Sequence, residues 1–127
     1  MRIEDLRIGS LVSYNNCDLK VTALGSRSDI IGLERHPLTA FNRVSPIPLS
    51  EEWLLKFGFI EQIGFIKFIG KKYTNSFEVS NNDLDKWYCY FRNFNKSELD
   101  DFVLLMNDLK YVHQLQNLYH ALTGKDL

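Results

Sequence analysis

The chain is poor in the residues that usually announce chemistry. Its only cysteines, Cys17 and Cys89, form no CxxC pair, which excludes a thiolate metal knuckle and a disulfide framework. One disulfide between them is left open, and two reduced structural thiols in a cytosolic protein are the favoured expectation. Seven glycines and three prolines are dispersed, so neither a glycine-rich phosphate loop nor a proline-rich linker is present. No HExxH and no GxSxG occurs. No apolar run approaches the roughly 20 residues that a membrane helix needs. Met1 is followed at once by Arg-Ile-Glu-Asp, which lacks the apolar stretch of a signal peptide. The expectation is a soluble cytoplasmic protein with no membrane partner.

Charge of one sign is also missing. The formal net charge is −1, and the only dibasic pair is Lys71-Lys72. That balance argues against a dedicated nucleic-acid surface, which carries a basic stripe. Apolar residues are plentiful: they make up 45% of the chain, with nine Phe, six Tyr and two Trp. A chain of 127 residues with that supply is expected to fold as one domain.

The pattern predicts an α+β fold. Arg7–Tyr14, Leu19–Leu24, Ile30–Leu33 and Phe41–Val44 read as short strands, with Asn15-Asn16 and Gly25-Ser26 as turns. Several short strands in residues 1–48 suggest an SH3-like small β-barrel. Residues 49–58 predict a short helix, with Ser50 as N-cap, Glu51 and Glu52 in the first turn, and Gly58 as its stop. Residues 59–110 predict an antiparallel meander. Its runs are Phe65–Ile69, Lys72–Val79 and Lys86–Phe91, separated by Gly70 or by Ser80-Asn-Asn-Asp83. Asp101–Met106 fits a strand, or a helix continuing from a Ser97 cap with Glu98 behind it; the strand is favoured.

Residues 111–124 predict a C-terminal amphipathic helix. Tyr111, Leu115, Leu118 and Leu122 share one face, with Val112, Tyr119 and Ala121 beside them and Gly124 as a left-handed cap.

Candidate sites are few. His113 and His120 lie seven apart on that helix, so roughly 10 Å of rise separates them. One metal ion could not take both. His36 precedes Pro37 in an expected loop. Gln114, Gln116 and Asn117 form an amide cluster on what reads as the wet helix side, a weaker candidate site together with His113. The most suggestive segment is Trp87-Tyr-Cys-Tyr-Phe-Arg92. In a strand, Trp87, Cys89 and Phe91 face one way and Tyr88, Tyr90 and Arg92 the other. Two tyrosines and an arginine on an open face suit stacking on a base or holding a phosphate. Neither a catalytic set, a cofactor nor a metal is expected.

Three segments carry a resemblance. Ile3-Glu-Asp-Leu-Arg-Ile-Gly-Ser-Leu-Val12 lies near an "IGNLV" start. Pro46-Ile-Pro-Leu-Ser-Glu-Glu-Trp-Leu-Leu-Lys-Phe-Gly-Phe59 follows "PIPLTEEWLLKFGF", with Ser50 for Thr. Tyr111 to Leu127 follows "YVHQLQNLYFALTGEEL", with His120 for Phe and Lys125 for Glu. The chain thus resembles a family of small proteins carried by phages and mobile elements of gut bacteria. Residues 60–110 fall outside the likeness. What the resemblance implies is context: a small accessory protein carried by a virus or mobile element. With no catalytic motif in the sequence, the leading expectation is a non-enzymatic binding protein in the host cytosol. Such a protein would act in counter-defence by sequestering a nucleotide immune signal or blocking a host defence protein. Pairing of two copies would help a small domain enclose its ligand. The rival expectations are a nucleic-acid-associated SH3-like module and a small hydrolase or nuclease.

Overall fold

The computed structural model describes residues 1–25, 29–69, 75–81, 86–93 and 101–127. The expected roles of Ser26, Gly70, Lys71-Lys72, Asn82-Asp83 and the Ser97-Glu98 cap fall outside the described residues. The strands are β1 (Leu11–Tyr14), β2 (Cys17–Leu24), β3 (Ile30–Leu33), β4 (His36–Ala40), β5 (Ile60–Glu61), β6 (Phe65–Ile69), β7 (Asn75–Asn81), β8 (Trp87–Asn93) and β9 (Asp101–Leu109). The helices are α1 (Glu51–Lys56) and α2 (Val112–Thr123). The fold is α+β, with antiparallel strands in two sheets and a C-terminal helix. It divides into two compact units: Met1–Pro48 with Tyr111–Leu127, and Leu49–Lys110. In sequence, the second unit is inserted into the first. Among the described residues no helix is long and apolar enough to cross a membrane.

In the first unit the sheet order is β1-β2-β3-β4. Asn15 and Asn16 take φ of 50° and 62°, the left-handed pair that a two-residue hairpin needs. This turn leaves Cys17 exposed and opposite Tyr14, so only Cys89 is a buried structural thiol. The expected strand at Phe41–Val44 is corrected: the fourth strand is His36–Ala40, and Phe41–Arg43 is a 3-10 turn. Pro37 disguises β4 as a loop, yet this is the last strand of its sheet, where a missing N–H breaks no ladder. His36 therefore opens a strand, and its ring lies 5.1 Å from that of Tyr14. Ser13 and Ser45 then exchange backbone N–H···O bonds of 2.8 and 2.9 Å, bringing the chain back to β1. Among the described residues the sheet does not close into a barrel. Its core is Leu6, Val12, Val21, Ile31, Leu33 and Val44.

Helix α2 packs on β1 and ends at Gly124, whose φ of 73° is left-handed, as the sequence predicts. Its buried residues are Val112, His113, Leu115, Gln116 and Tyr119. Leu118 is only half-buried, and Ala121 and Leu122 are exposed. The buried arc is therefore rotated from the expected Tyr111-Leu115-Leu118-Leu122 stripe.

In the second unit Ser50 caps α1 by accepting the Trp53 N–H, and Leu54 on the inner face is wholly buried. So short a helix is held by packing rather than by its own hydrogen bonds. Lys67 Nζ donates to the Phe57 carbonyl, a cation placed where the helix dipole favours one. The sheet order is β5-β6-β7-β8-β9, a meander in which Asp101–Leu109 is a strand, as favoured. Alternation along β6, β7 and β8 divides its faces, while β9 is bulged opposite Trp87–Tyr88 and Cys89–Tyr90. Phe65, Phe77, Val79, Trp87 and Cys89 are buried on one side, with Phe59 against Phe77 and Phe65 against Trp87. Burial pushes the Cys89 thiol far above its ordinary range. The other side carries the candidate site.

Candidate functional site

Pairing register brings this site together. Tyr90 stands opposite Glu78, and Glu78 opposite Ile66, so three strands contribute a carboxylate flanked by an aromatic and an aliphatic side chain. One step along, Arg92 stands opposite Ser76, diagonal to Glu78 and within reach of a long side chain. Arg92 Nε lies 2.7 Å from Glu78 Oε2, an ion pair whose N–H is not aligned as a linear hydrogen bond. Ser76, fully buried, donates its hydroxyl to the same Oε2 at 3.0 Å. Tyr88 completes the row, its ring 6.5 Å from that of Tyr90. The face is thus as alternation predicts, with Tyr88, Tyr90 and Arg92 half-buried on the side opposite Cys89.

The turn between β5 and β6 makes this face concave. Gln62, Ile63 and Gly64 form one wall of a depression of about 420 Å³, with Glu78, Tyr90 and Arg92 in its lining. That volume falls within the roughly 300–1,000 Å³ of small-molecule sites. Gly64 permits the wall: a Cβ there would sit 3.1 Å from the Val79 carbonyl oxygen and 3.2 Å from Ser80 Cβ. Ile63 is fully exposed, an apolar side chain at the rim.

Glu78 and Ser76 belong to this site although no motif in the sequence marks them. The signal was present in Ser76-Phe-Glu-Val79, whose alternation puts both on the face opposite Phe77. Only the strand register, however, sets Glu78 beside Tyr90.

The weaker candidates lie in the first unit and have structural work. Gln116 is buried, not on a wet face. It accepts the Leu11 N–H at 2.8 Å and donates to the Gly9 carbonyl at 3.1 Å, acting as a strand partner for the segment entering β1. Asn117 donates to the Asp5 carbonyl at 2.7 Å, and Gln114 accepts the Tyr111 N–H at 3.0 Å. His113 is 2% exposed beneath Tyr111, whose ring stacks on it at 5.8 Å. His120 is exposed. Among the described residues no group of three or more His, Cys, Asp or Glu is placed to hold a metal ion.

Burial holds the His113 imidazole below its ordinary value of 6.5, against the pull of Asp5 towards protonation. The unfolded chain therefore binds a proton that the folded chain resists, and stability falls as pH drops below 6.5. Asp5 titrates in a lower window. The Arg2 backbone N–H holds its carboxyl below 3.8, so its contribution is lost only in stronger acid. Urea midpoints between pH 8 and pH 5 should fall for the native protein and stay flatter for His113→Gln. An equal slope in both would place the titration elsewhere.

Set against protein-family models, curated proteins and solved structures, the chain matches none.

Proposed function

We propose that this chain is a non-enzymatic, phage-encoded binding protein that acts in counter-defence in the host cytosol by sequestering a nucleotide immune signal. The observation that carries the reading is the concave outer face of the second sheet. It offers a tyrosine ring for stacking and an arginine for a phosphate, around a depression of ligand size. The segments that resemble phage and mobile-element proteins, Ile3–Val12, Pro46–Phe59 and Tyr111–Leu127, fall at the start and end of the first unit and on α1. The site lies in the part outside that likeness, as expected of a common frame bearing an adaptable insert. Pairing of two copies would enclose the shallow face further. Blocking of a host defence protein through the same face is the variant of this reading that a flat small-molecule response would favour.

The test is a thermal melt against cyclic di- and trinucleotides and ADP-ribose-type compounds. A ligand at a hundred times its Kd adds about 2.7 kcal/mol, a shift of several degrees for a chain of this size. Tyr90→Ala should weaken binding of the responding compound at least about tenfold, a loss of about 1.4 kcal/mol. Unchanged affinity would remove this face from the reading.

A second reading has its own observation. The four-strand meander, the 3-10 turn after β4 and the return of Ser45 to Ser13 support an SH3-like arrangement of the first unit. SH3-like modules also serve nucleic-acid proteins, and salt-sensitive retention on DNA or RNA would be that function's sign.

A further inference from the structure

Resting on the nucleotide-site reading above, we infer that Glu78 selects the base, and that the ligand presents a guanine-type edge of adjacent N–H donors. The argument begins with the acceptor inventory of the carboxylate. An ionised Glu offers about four lone-pair positions on two oxygens and no donor. Oε2 accepts the Ser76 hydroxyl at 3.0 Å and is in ion-pair contact with Arg92 Nε at 2.7 Å. These contacts fix the orientation of the carboxylate. Among the described residues none donates a hydrogen bond to Oε1. The side chain is only 20% exposed and lines the depression beside Tyr90. A half-buried acceptor held in place by its other oxygen calls for a donor.

The same pair limits what phosphate can contribute. Glu78 offsets part of the Arg92 charge, which weakens the hold of this arginine on a phosphate. Selectivity must come from the base. Guanine carries an N1–H donor and an amino group side by side, and both can converge on Oε1 as one shared acceptor. Its ring plane can lie on Tyr90, with Ile66 across the row. Adenine presents an unprotonated N1 at that place, a lone pair against a carboxylate oxygen. Hypoxanthine keeps the N1–H and lacks the amino group, so it should fall between them.

Calorimetric titration of the full chain with GMP, IMP and AMP tests the inference. GMP should bind at least about tenfold more tightly than AMP, the discrimination expected of one well-placed pair of hydrogen bonds, with IMP intermediate. Glu78→Gln keeps the shape of the side chain but swaps one acceptor for a donor, and should bring GMP and AMP within about twofold of each other. A melt without ligand checks that the variant folds. If it does not fold, the order of the three nucleotides on the native protein still decides. GMP and AMP binding equally, with Tyr90→Ala weakening both, would overturn base selection by Glu78 and leave the nucleotide site standing. Binding of none of the three, together with a flat cyclic-nucleotide panel, would overturn both readings.

Discussion

Phe77→Ala is expected to lower the stability of the second unit by about 3–5 kcal/mol, the cost of emptying a fully buried aromatic position. Phe77 is on the central strand of the five-stranded sheet and has no exposed surface. Phe59 meets it edge-on at 6.3 Å, so truncation removes ring packing as well as buried area. Domains are stable by only about 5–15 kcal/mol, and the loss would consume much of that margin. Both tryptophans, Trp53 and Trp87, belong to this unit, which makes their fluorescence its own reporter. With urea slopes of about 1–3 kcal/mol/M, the midpoint should drop by at least about 1 M. Phe77→Leu should recover part of the loss. The effect reaches the site as well, because Ser76 and Glu78 flank Phe77 and face the opposite way. A variant retaining the native midpoint would show that the inner face is not packed around this ring.

The inner and outer faces of that sheet were legible in the residues because period-two alternation is a local property. Trp87, Cys89 and Phe91 had to separate from Tyr88, Tyr90 and Arg92 once the segment was extended. The caps were legible for the same reason: Ser50 and Gly124 act within a turn of their own positions. Features set by distant partners were not. Glu78 reads as a solvated charge until register places it across from Tyr90. Pro37 reads as a break until β4 proves to be the last strand of its sheet.

Helix α2 shows the limit most clearly. Counting apolar residues put Leu118 and Leu122 in the core and Gln116 in solvent. The helix instead turns Gln116 inward, because its amide supplies the donor and acceptor that Gly9 and Leu11 need. Those partners lie more than a hundred residues earlier in the chain, beyond the reach of any local pattern. Two half-buried backbone groups left unpaired would cost up to about 1–3 kcal/mol each, the figure for full burial. That is comparable to the gain of about 1.5–3 kcal/mol from fully burying a leucine. Polar satisfaction can therefore outweigh the stripe.

That reordering makes Leu115 the decisive position on the helix. Leu115→Asp should cost about 4 kcal/mol or more, since it puts a carboxylate where the structure leaves no exposed surface. Leu122→Asp, at a residue 40% exposed, should cost about 1 kcal/mol or less, chiefly because an acid near a helix C-terminus opposes the dipole. Leu118→Asp should fall between them, whereas the stripe read from sequence alone would make all three equally damaging. Helical ellipticity during urea unfolding reports the comparison, because α2 is the longer of the two helices among the described residues. A graded series, steep at Leu115 and shallow at Leu122, would mean that α2 is seated by Leu115 and the Gln116 hydrogen bonds. Equal losses at Leu115 and Leu122 would mean that its buried arc is the apolar stripe after all. The Gln116 contacts would then be incidental, and Gln116→Ala would leave stability within about 0.5 kcal/mol of the native value.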